Sequence, residues 1–271
     1  MKNLKVLILS SKGGVGKSTL AMQVLTPYLY EKNNQEKINF FEFDDENIDL
    51  LSYGGSILSN RESIDVEEFV IMDKFIEILS QDQCCCIDVG GNKSTTLCLE
   101  TLHSCGMVNE IDLVVIPLLD GEQDAVNAEK IYQQVLEMNP EANIAFALNR
   151  VKNAKFVEYQ FDNFFGDIRG IFENQNFLLN SVKEEHKKNY IIIEDSDIIK
   201  YSRKFGMTIY EIAAQDRDFI SEFKETRQEK EKKILAFKNY VYQNGKKYYD
   251  NTLKNSFQKL DLIIGKENNG N

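Results

Sequence analysis

Apolar positions along this chain follow two rhythms. Short, nearly unbroken apolar runs at residues 4–9, 38–43, 84–88, 112–117, 144–149 and 190–193 predict strands buried on both faces of a parallel sheet. Between them, apolar residues recur at every third or fourth position and predict helices over 66–79, 94–105, 123–138 and 196–205, with Gly106, Pro140 and Gly206 as stops. A further helix opens at Lys17, its apolar face made by Leu20, Ala21, Val24, Leu25, Tyr28 and Leu29; Pro27 is expected to kink or shorten it. Strands alternating with helices predict an α/β fold, a doubly wound, mostly parallel sheet flanked by helices.

The strands stop after about residue 216. The organisation this implies is a domain over 1–215, a helical C-terminal extension over 216–264 packed on it, and a polar tail over 265–271. Charge shifts at the same place. Residues 224–271 hold 11 lysines and arginines against 6 acids, a net of +5, so residues 1–223 carry −16 of the whole-chain −11. In the extension Lys230, Lys232, Lys233, Lys238, Lys246, Lys247, Lys254 and Lys259 interleave with Phe237, Tyr240, Tyr242, Tyr248, Tyr249 and Phe257, a mixture that suits nucleic acid. The same pattern also allows Ile234, Phe237, Tyr240, Val241 and Tyr248 to pack inward while the lysines solvate the outer face. Leu260, Leu262, Ile263 and Ile264 form an apolar stretch too short for firm membrane anchoring.

A net charge of −11 argues against a surface built wholesale for nucleic acid, and 42% hydrophobic residues with only three prolines give enough material for a large core. The apolar stretch behind Met1 is too brief for a signal peptide and runs into a glycine loop, and no run of about 18 uncharged apolar residues occurs; a cytoplasmic protein is expected. Of five cysteines, Cys84, Cys85 and Cys86 are adjacent on one predicted strand, which suits reduced core residues rather than a disulfide framework. Cys98 and Cys105 lack a CxxC pair, and neither His103 nor His186 stands at ligand spacing from them.

The densest chemistry is Ser11-Lys12-Gly13-Gly14-Val15-Gly16-Lys17-Ser18-Thr19, after a buried strand and at the start of a helix. That context makes a phosphate loop: glycines let successive N–H groups turn inward onto phosphate oxygens, and the helix N-terminus adds its positive dipole end. Lys17 would neutralise the β and γ phosphates, the Ser18 hydroxyl would hold Mg²⁺, and Thr19 would reach the α-phosphate. Residues 84–87 followed by Asp88 read as a second element of the same site, a buried strand ending in a carboxylate for the metal. After it, Gly90 or Gly91 could offer a backbone N–H to the γ-phosphate, with Gly91 taken as the binding residue.

The strict phosphate-loop pattern wants glycine where Ser11 stands, and a second lysine, Lys12, precedes the paired glycines. Here the chain resembles the deviant-Walker ParA and MinD P-loop ATPases, whose hallmark KGGxGK[ST] is read at residues 12–18. The resemblance covers roughly residues 1–215 and implies that Lys12 is catalytic, reaching across an ATP sandwich dimer to the partner's phosphates. It places Asp44, at the end of the second strand, on the residue that orients the attacking water and faces the metal beside Ser18 and Asp88; Glu42 and Asp45 depart from the family's switch segment. It assigns Asn149 and Arg150 to the nucleotide. An amide can donate to adenine N7 and accept from its N6 amino group, so ATP is favoured over GTP. The form Asp88-Val89-Gly90-Gly91-Asn92 looks closer to plasmid stability relatives of the StbB group.

The resemblance therefore implies a slow ATPase switch that forms a homodimer on Mg-ATP, binds non-specific DNA or a DNA-binding partition partner, and drives plasmid partition or positioning. A MinD-like membrane-associated role, a metabolic enzyme of the dethiobiotin-synthetase type and a nucleotide-binding adaptor that barely hydrolyses are the alternatives. A reductase like the nitrogenase iron protein fits poorly, because Cys98 and Cys105 match no cluster ligands.

Overall fold

A computed structural model describes residues 3–44, 52–168, 170 and 176–265 of the chain. Its strands are β1 (Lys5–Ile8), β2 (Ile38–Phe43), β3 (Ser59–Ile64), β4 (Cys85–Val89), β5 (Leu113–Leu118), β6 (Ile144–Val151) and β7 (Tyr190–Glu194). Among the described residues they form one seven-stranded sheet in the order β3-β2-β4-β1-β5-β6-β7, every neighbouring pair parallel. Six of these strands lie where the apolar runs predict. The seventh, β3, reads SNRESI and buries only its two ends. Register with β2, from Ile38↔Ser59 to Phe43↔Ile64, holds it in place of side-chain pattern, which is why periodicity passes over it.

Alternation along each strand splits the core into two layers. In β1 and the residue after it, Val6 and Ile8 face one side with Phe40, Cys86 and Val115, while Leu7 and Leu9 face the other with Phe41, Cys85 and Ile116. The second layer is closed by α2 (Glu68–Ser80), α3 (Lys93–Ser104) and α4 (Glu122–Met138). Cys84, Cys85, Cys86 and Cys98 are buried in these layers as free thiols, and burial pushes the Cys85 thiol up to about 12.

The first layer is closed by α1, residues 17–32, and by the C-terminal helix. Of the two effects expected of Pro27, shortening does not occur: α1 runs to Lys32. A π turn over Ala21–Leu25 precedes the proline, with the Thr26 N–H bonded to Ala21 O; this wider turn accommodates a residue that has no N–H to give. After β7 come α5 (Asp197–Lys204), α6 (Ile209–Ala213), α7 (Phe219–Glu225) and α8, residues 229–264, itself carrying a π turn at Tyr249–Leu253.

α8 is divided in its use of apolar residues. Val241, Tyr248, Leu253, Phe257, Leu260 and Ile263 are buried, whereas Ile234, Phe237 and Tyr240 stand 40–51% exposed. The inward-packing pattern thus holds for Val241 and Tyr248 and fails for the other three. Leu260 and Ile263 belong to the core and Ile264 packs against it, leaving Leu262 as the exposed member of that stretch. Three hydroxyls tie the helix to the outermost strand: Tyr248 donates to Glu194 O (2.8 Å), Ser256 to Ile192 O (3.3 Å) and Thr252 to the Glu194 carboxylate (2.9 Å). No helix of the described residues is long and apolar enough to cross a membrane. Asp45, Glu46 and Asn47 of the segment after β2 and residues 266–271 of the polar tail lie outside the described residues.

Candidate functional site

The carboxyl ends of β1, β2, β4 and β6 open onto one edge of the sheet, where crossing connections leave a crevice. The loop after β1 lines it. Gly14 and Gly16 have φ of +75° and +90°, and the left-handed Gly16 is the residue from which α1 starts. A Cβ on Gly16 would stand 3.0 Å from Asn149 Nδ2. That amide, at the end of β6, is buried and donates to Val15 O at 2.7 Å, so Asn149 first of all holds the loop. Arg150 follows with φ +56° and places Nη2 3.5 Å from Gly14 O.

The loop after β4 is stitched to the first. Asn92 N–H donates to Ser11 O at 2.9 Å, and Thr95 Oγ1 lies 3.0 Å from Ser10 O and 2.7 Å from Gly90 O. Gly90 N–H donates to Phe43 O at 2.7 Å, and a Cβ there would sit 3.0 Å from the Asp44 carboxyl carbon. Gly90 is therefore spent on bringing the β2 end, with Asp44, beside β4. Gly91 faces the phosphate loop more closely: a Cβ on it would meet Gly13 N at 3.3 Å.

Two adjoining cavities result. One, of about 430 Å³, is lined by Gly13, Gly14, Gly16, Lys17, Ser18, Thr19, Asp44, Gly91 and the start of α3. The other, of about 710 Å³, extends from Gly16 and Thr19 past Asn149 and Arg150 to the β7–α5 connection. Both include Arg150 and Arg203, so they read as two ends of one cleft. Asp88 lies buried at the end of β4, in register with Glu42 of β2. Lys17 is buried, with Nζ 3.1 Å from Lys12 O. Burial lowers its pKa, against the pull of Asp88 and then Asp44.

Two of the helices that start at this cleft break the usual charge rule. α2, α4 and α5 carry acids in their first turns, as dipoles favour, but α1 and α3 begin with Lys17 and Lys93 and have none. Two helix N-termini crowned by lysines make an anion site. Ser18, Asp44 and Asp88 supply only hard oxygen donors, and both carboxylates act on the same Lys17 ammonium, so the set fits Mg²⁺ with phosphate and water completing its shell.

Lys12 has a partner of its own. Its Nζ forms an ion pair with Asp124 of α4 at 2.9 Å, on the same chain; the lysine is 40% exposed and the aspartate 5%.

A scan against family models finds no match, and a search of curated proteins finds no similar sequence. Among solved structures, the chain is similar to apo McdA of Cyanothece, with a TM-score of 0.51 at 12% identity over 97% of this chain and 99% of that one. The fold is that of the ParA/MinD P-loop ATPases. The MinD cell division protein of Aquifex aeolicus gives a TM-score of 0.47 at 16% identity, over 76% of this chain and 88% of that one. A putative plasmid partition protein of Borrelia burgdorferi B31 bound to AMPPNP gives 0.46 at 12%, over 90% and 99%. At these identities the likeness speaks for the ParA/MinD fold alone, and the TM-score of the McdA structure carries it.

On this ParA/MinD fold, Gly13, Gly14, Gly16, Lys17, Ser18, Thr19, Asp44, Gly91, Asn149 and Arg150 border the cleft, while Val15 and Asp88 lie buried beneath it and Lys12 stands at its rim. Sequence reasoning missed Lys93, Asp124 and Arg203. Lys93 had a local signal, a base in the first turn of a helix directly after a strand-end carboxylate. Asp124 and Arg203 had none, since each reaches the loop from more than a hundred residues away.

Proposed function

We propose that the protein is an ATP-dependent dimerising switch of the ParA type, which binds Mg-ATP in this cleft and hydrolyses it slowly to drive DNA partition or positioning. The observation that carries the reading is the cleft itself: a KGGVGKST loop between two lysine-crowned helix N-termini, facing Asp44 and Asp88 on neighbouring strands. Lys17 and the loop amides would hold the β and γ phosphates, Thr19 the α-phosphate, and Gly91 N–H the γ-phosphate. Ser18, Asp88 and Asp44 would hold Mg²⁺, which when bound neutralises charge on the phosphate oxygens. Asp44 would also orient water. Asn149 and Arg150 would take the base end.

Lys12 would leave Asp124 to reach a second copy's nucleotide. Turnover should be slow, because the paired state must last long enough to be read. Residues 1–215 would form the ATPase domain and 216–264 an extension packed on it. The exposed Phe237 and Tyr240 rings, stacked at 6.4 Å and flanked by exposed Lys233 and Lys247, support DNA as the partner surface.

The test is light scattering and phosphate release with ATP or ADP, followed by co-sedimentation with DNA and with anionic liposomes, for wild type and Lys12→Ala. ATP-dependent pairing and DNA pelleting, both lost in the variant, are expected. Liposome pelleting would move the assignment to a MinD-like role, turnover only with a small acceptor to a metabolic enzyme, and binding without phosphate release to an adaptor.

A further inference from the structure

Arg203 lies near the end of α5 and lines both halves of the cleft. It is held on two sides. Nη2 donates to the Thr19 hydroxyl, and Nε donates to the Tyr53 hydroxyl at 3.0 Å, with the guanidinium 5.7 Å from the centre of the Tyr53 ring. Tyr53 is fully buried and its hydroxyl is also 3.0 Å from Gln23 Nε2; Gln23 in turn bonds Ser202 Oγ at 2.9 Å and accepts the Ile209 N–H at 2.8 Å. This network joins α1, the segment before β3, α5 and α6 behind the guanidinium.

Both hydrogen-bond partners of Arg203 named above are neutral hydroxyls, and a guanidinium with five N–H groups is a poor choice for satisfying two of them. It is a good choice for phosphate, whose oxygens give shorter and stronger charge-assisted bonds than a hydroxyl. Its anchor also matters. A side chain already fixed through Nε loses little freedom when its free edge turns to a ligand.

Resting on the reading of the cleft as a nucleotide site, we propose that Arg203 is a phosphate-contacting residue of that site. It releases Thr19 and takes an oxygen of the nucleotide's phosphate chain at the α/β end, leaving the Thr19 hydroxyl free for the same chain. Its contribution belongs to the phosphates and not to the base.

The test measures ATP, ADP and pyrophosphate binding with Mg²⁺ by calorimetry, and adenosine binding by saturation-transfer NMR, on the full chain. Wild type, Arg203→Ala, Arg203→Lys and Tyr53→Phe are compared. Arg203→Ala should weaken ADP and pyrophosphate about tenfold or more, the range of a lost hydrogen bond to a charged group, and leave adenosine within about twofold. Arg203→Lys should recover part of the loss because charge remains without the fork, and Tyr53→Phe should cost less than either. A merely structural arginine would lower the thermal midpoint and weaken all four ligands in parallel; that pattern overturns the proposal, as does unchanged ADP affinity in Arg203→Ala. Wild-type chain that binds none of the four overturns the nucleotide reading and this inference together.

Discussion

Breaking the Lys12–Asp124 pair should have unequal effects depending on which partner is removed. At 2.9 Å two unit charges attract by roughly 6 kcal/mol at an effective dielectric of 20 and about 1.4 kcal/mol in water. With Lys12 40% exposed the pair lies near the water limit, so a double-mutant cycle should give a coupling of about 1 kcal/mol. The single variants differ more. Asp124 is 5% exposed and its Oδ1 is buried with no hydrogen-bond partner among the described residues, so Lys12→Ala strands a carboxylate and should cost about 2 kcal/mol. Asp124→Ala frees a lysine that water can solvate and should cost about 0.5 kcal/mol or less.

Urea unfolding of the nucleotide-free chain at pH 7, with the slope held constant across variants, reads these differences. Equal losses in the two single variants, or a coupling indistinguishable from zero at low salt, would refute the argument. The same pair should oppose dimer formation, because a lysine reaching a second copy's phosphates must first give up Asp124. Each of the two copies gives up one pair, so Asp124→Ala is then expected to pair with ATP at roughly thirtyfold lower protein concentration, the equivalent of about 2 kcal/mol. Weaker pairing in that variant would show that Asp124 supports the dimer instead.

Gly16→Ala places a Cβ in the left-handed region at φ +90°, about 1–2 kcal/mol, and pushes on Asn149, whose bond to Val15 O is worth about 1 kcal/mol; unfolding should show a loss of about 2–3 kcal/mol, and unchanged stability would count against this loop geometry. For Lys17 the folded-state pKa is lowered by burial, so between that value and the ordinary 10.5 the unfolded chain binds more protons and stability rises with pH. Lys17→Met should therefore stabilise the nucleotide-free chain at pH 7, with an advantage over wild type that shrinks towards pH 10.5, while nucleotide binding is lost; a destabilised variant would contradict the sign. Leu260→Ala, at a fully buried position facing α1, should cost about 2–4 kcal/mol, whereas Leu262→Ala, 65% exposed, should change unfolding by about 0.5 kcal/mol or less.

What the sequence made legible follows from the range of the forces involved. β2 was readable to the residue because INFFEF is apolar enough to be buried whatever surrounds it, and the phosphate loop because its glycines answer a local backbone demand. β3 was not, since its strand state is imposed by β2 across a hydrogen-bonded register and its own side chains are mostly polar. Pro27 misled for a related reason: the rule against proline assumes an α-helical turn, and the π turn ahead of it removes the conflict. Within the site, residues on the two loops could be placed from spacing alone. Arg203 reaches Thr19 over 184 positions and Lys12 reaches Asp124 over 112, contacts that only the folded sheet edge brings about.

The costs in this structure are unevenly distributed, and their distribution bears on function. Outside the α1–β2 turn, where Asn34 and Gln35 adopt positive φ, the non-glycine residues with left-handed φ among those described are Asn92 and Arg150, and both border the cleft. The desolvated Lys17 ammonium lines the same cavity, and Asp124, whose Oδ1 has no hydrogen-bond partner among the described residues, pairs with Lys12 of the same loop. Strain of this kind costs about 1–3 kcal/mol per site and persists only where surrounding structure over-determines it. Here the surroundings are two strand ends and two helix starts. A polyanion seated against Lys17 would convert its desolvated charge from a cost into an attraction, so the chain should gain more stability from such a ligand than its contact area alone implies.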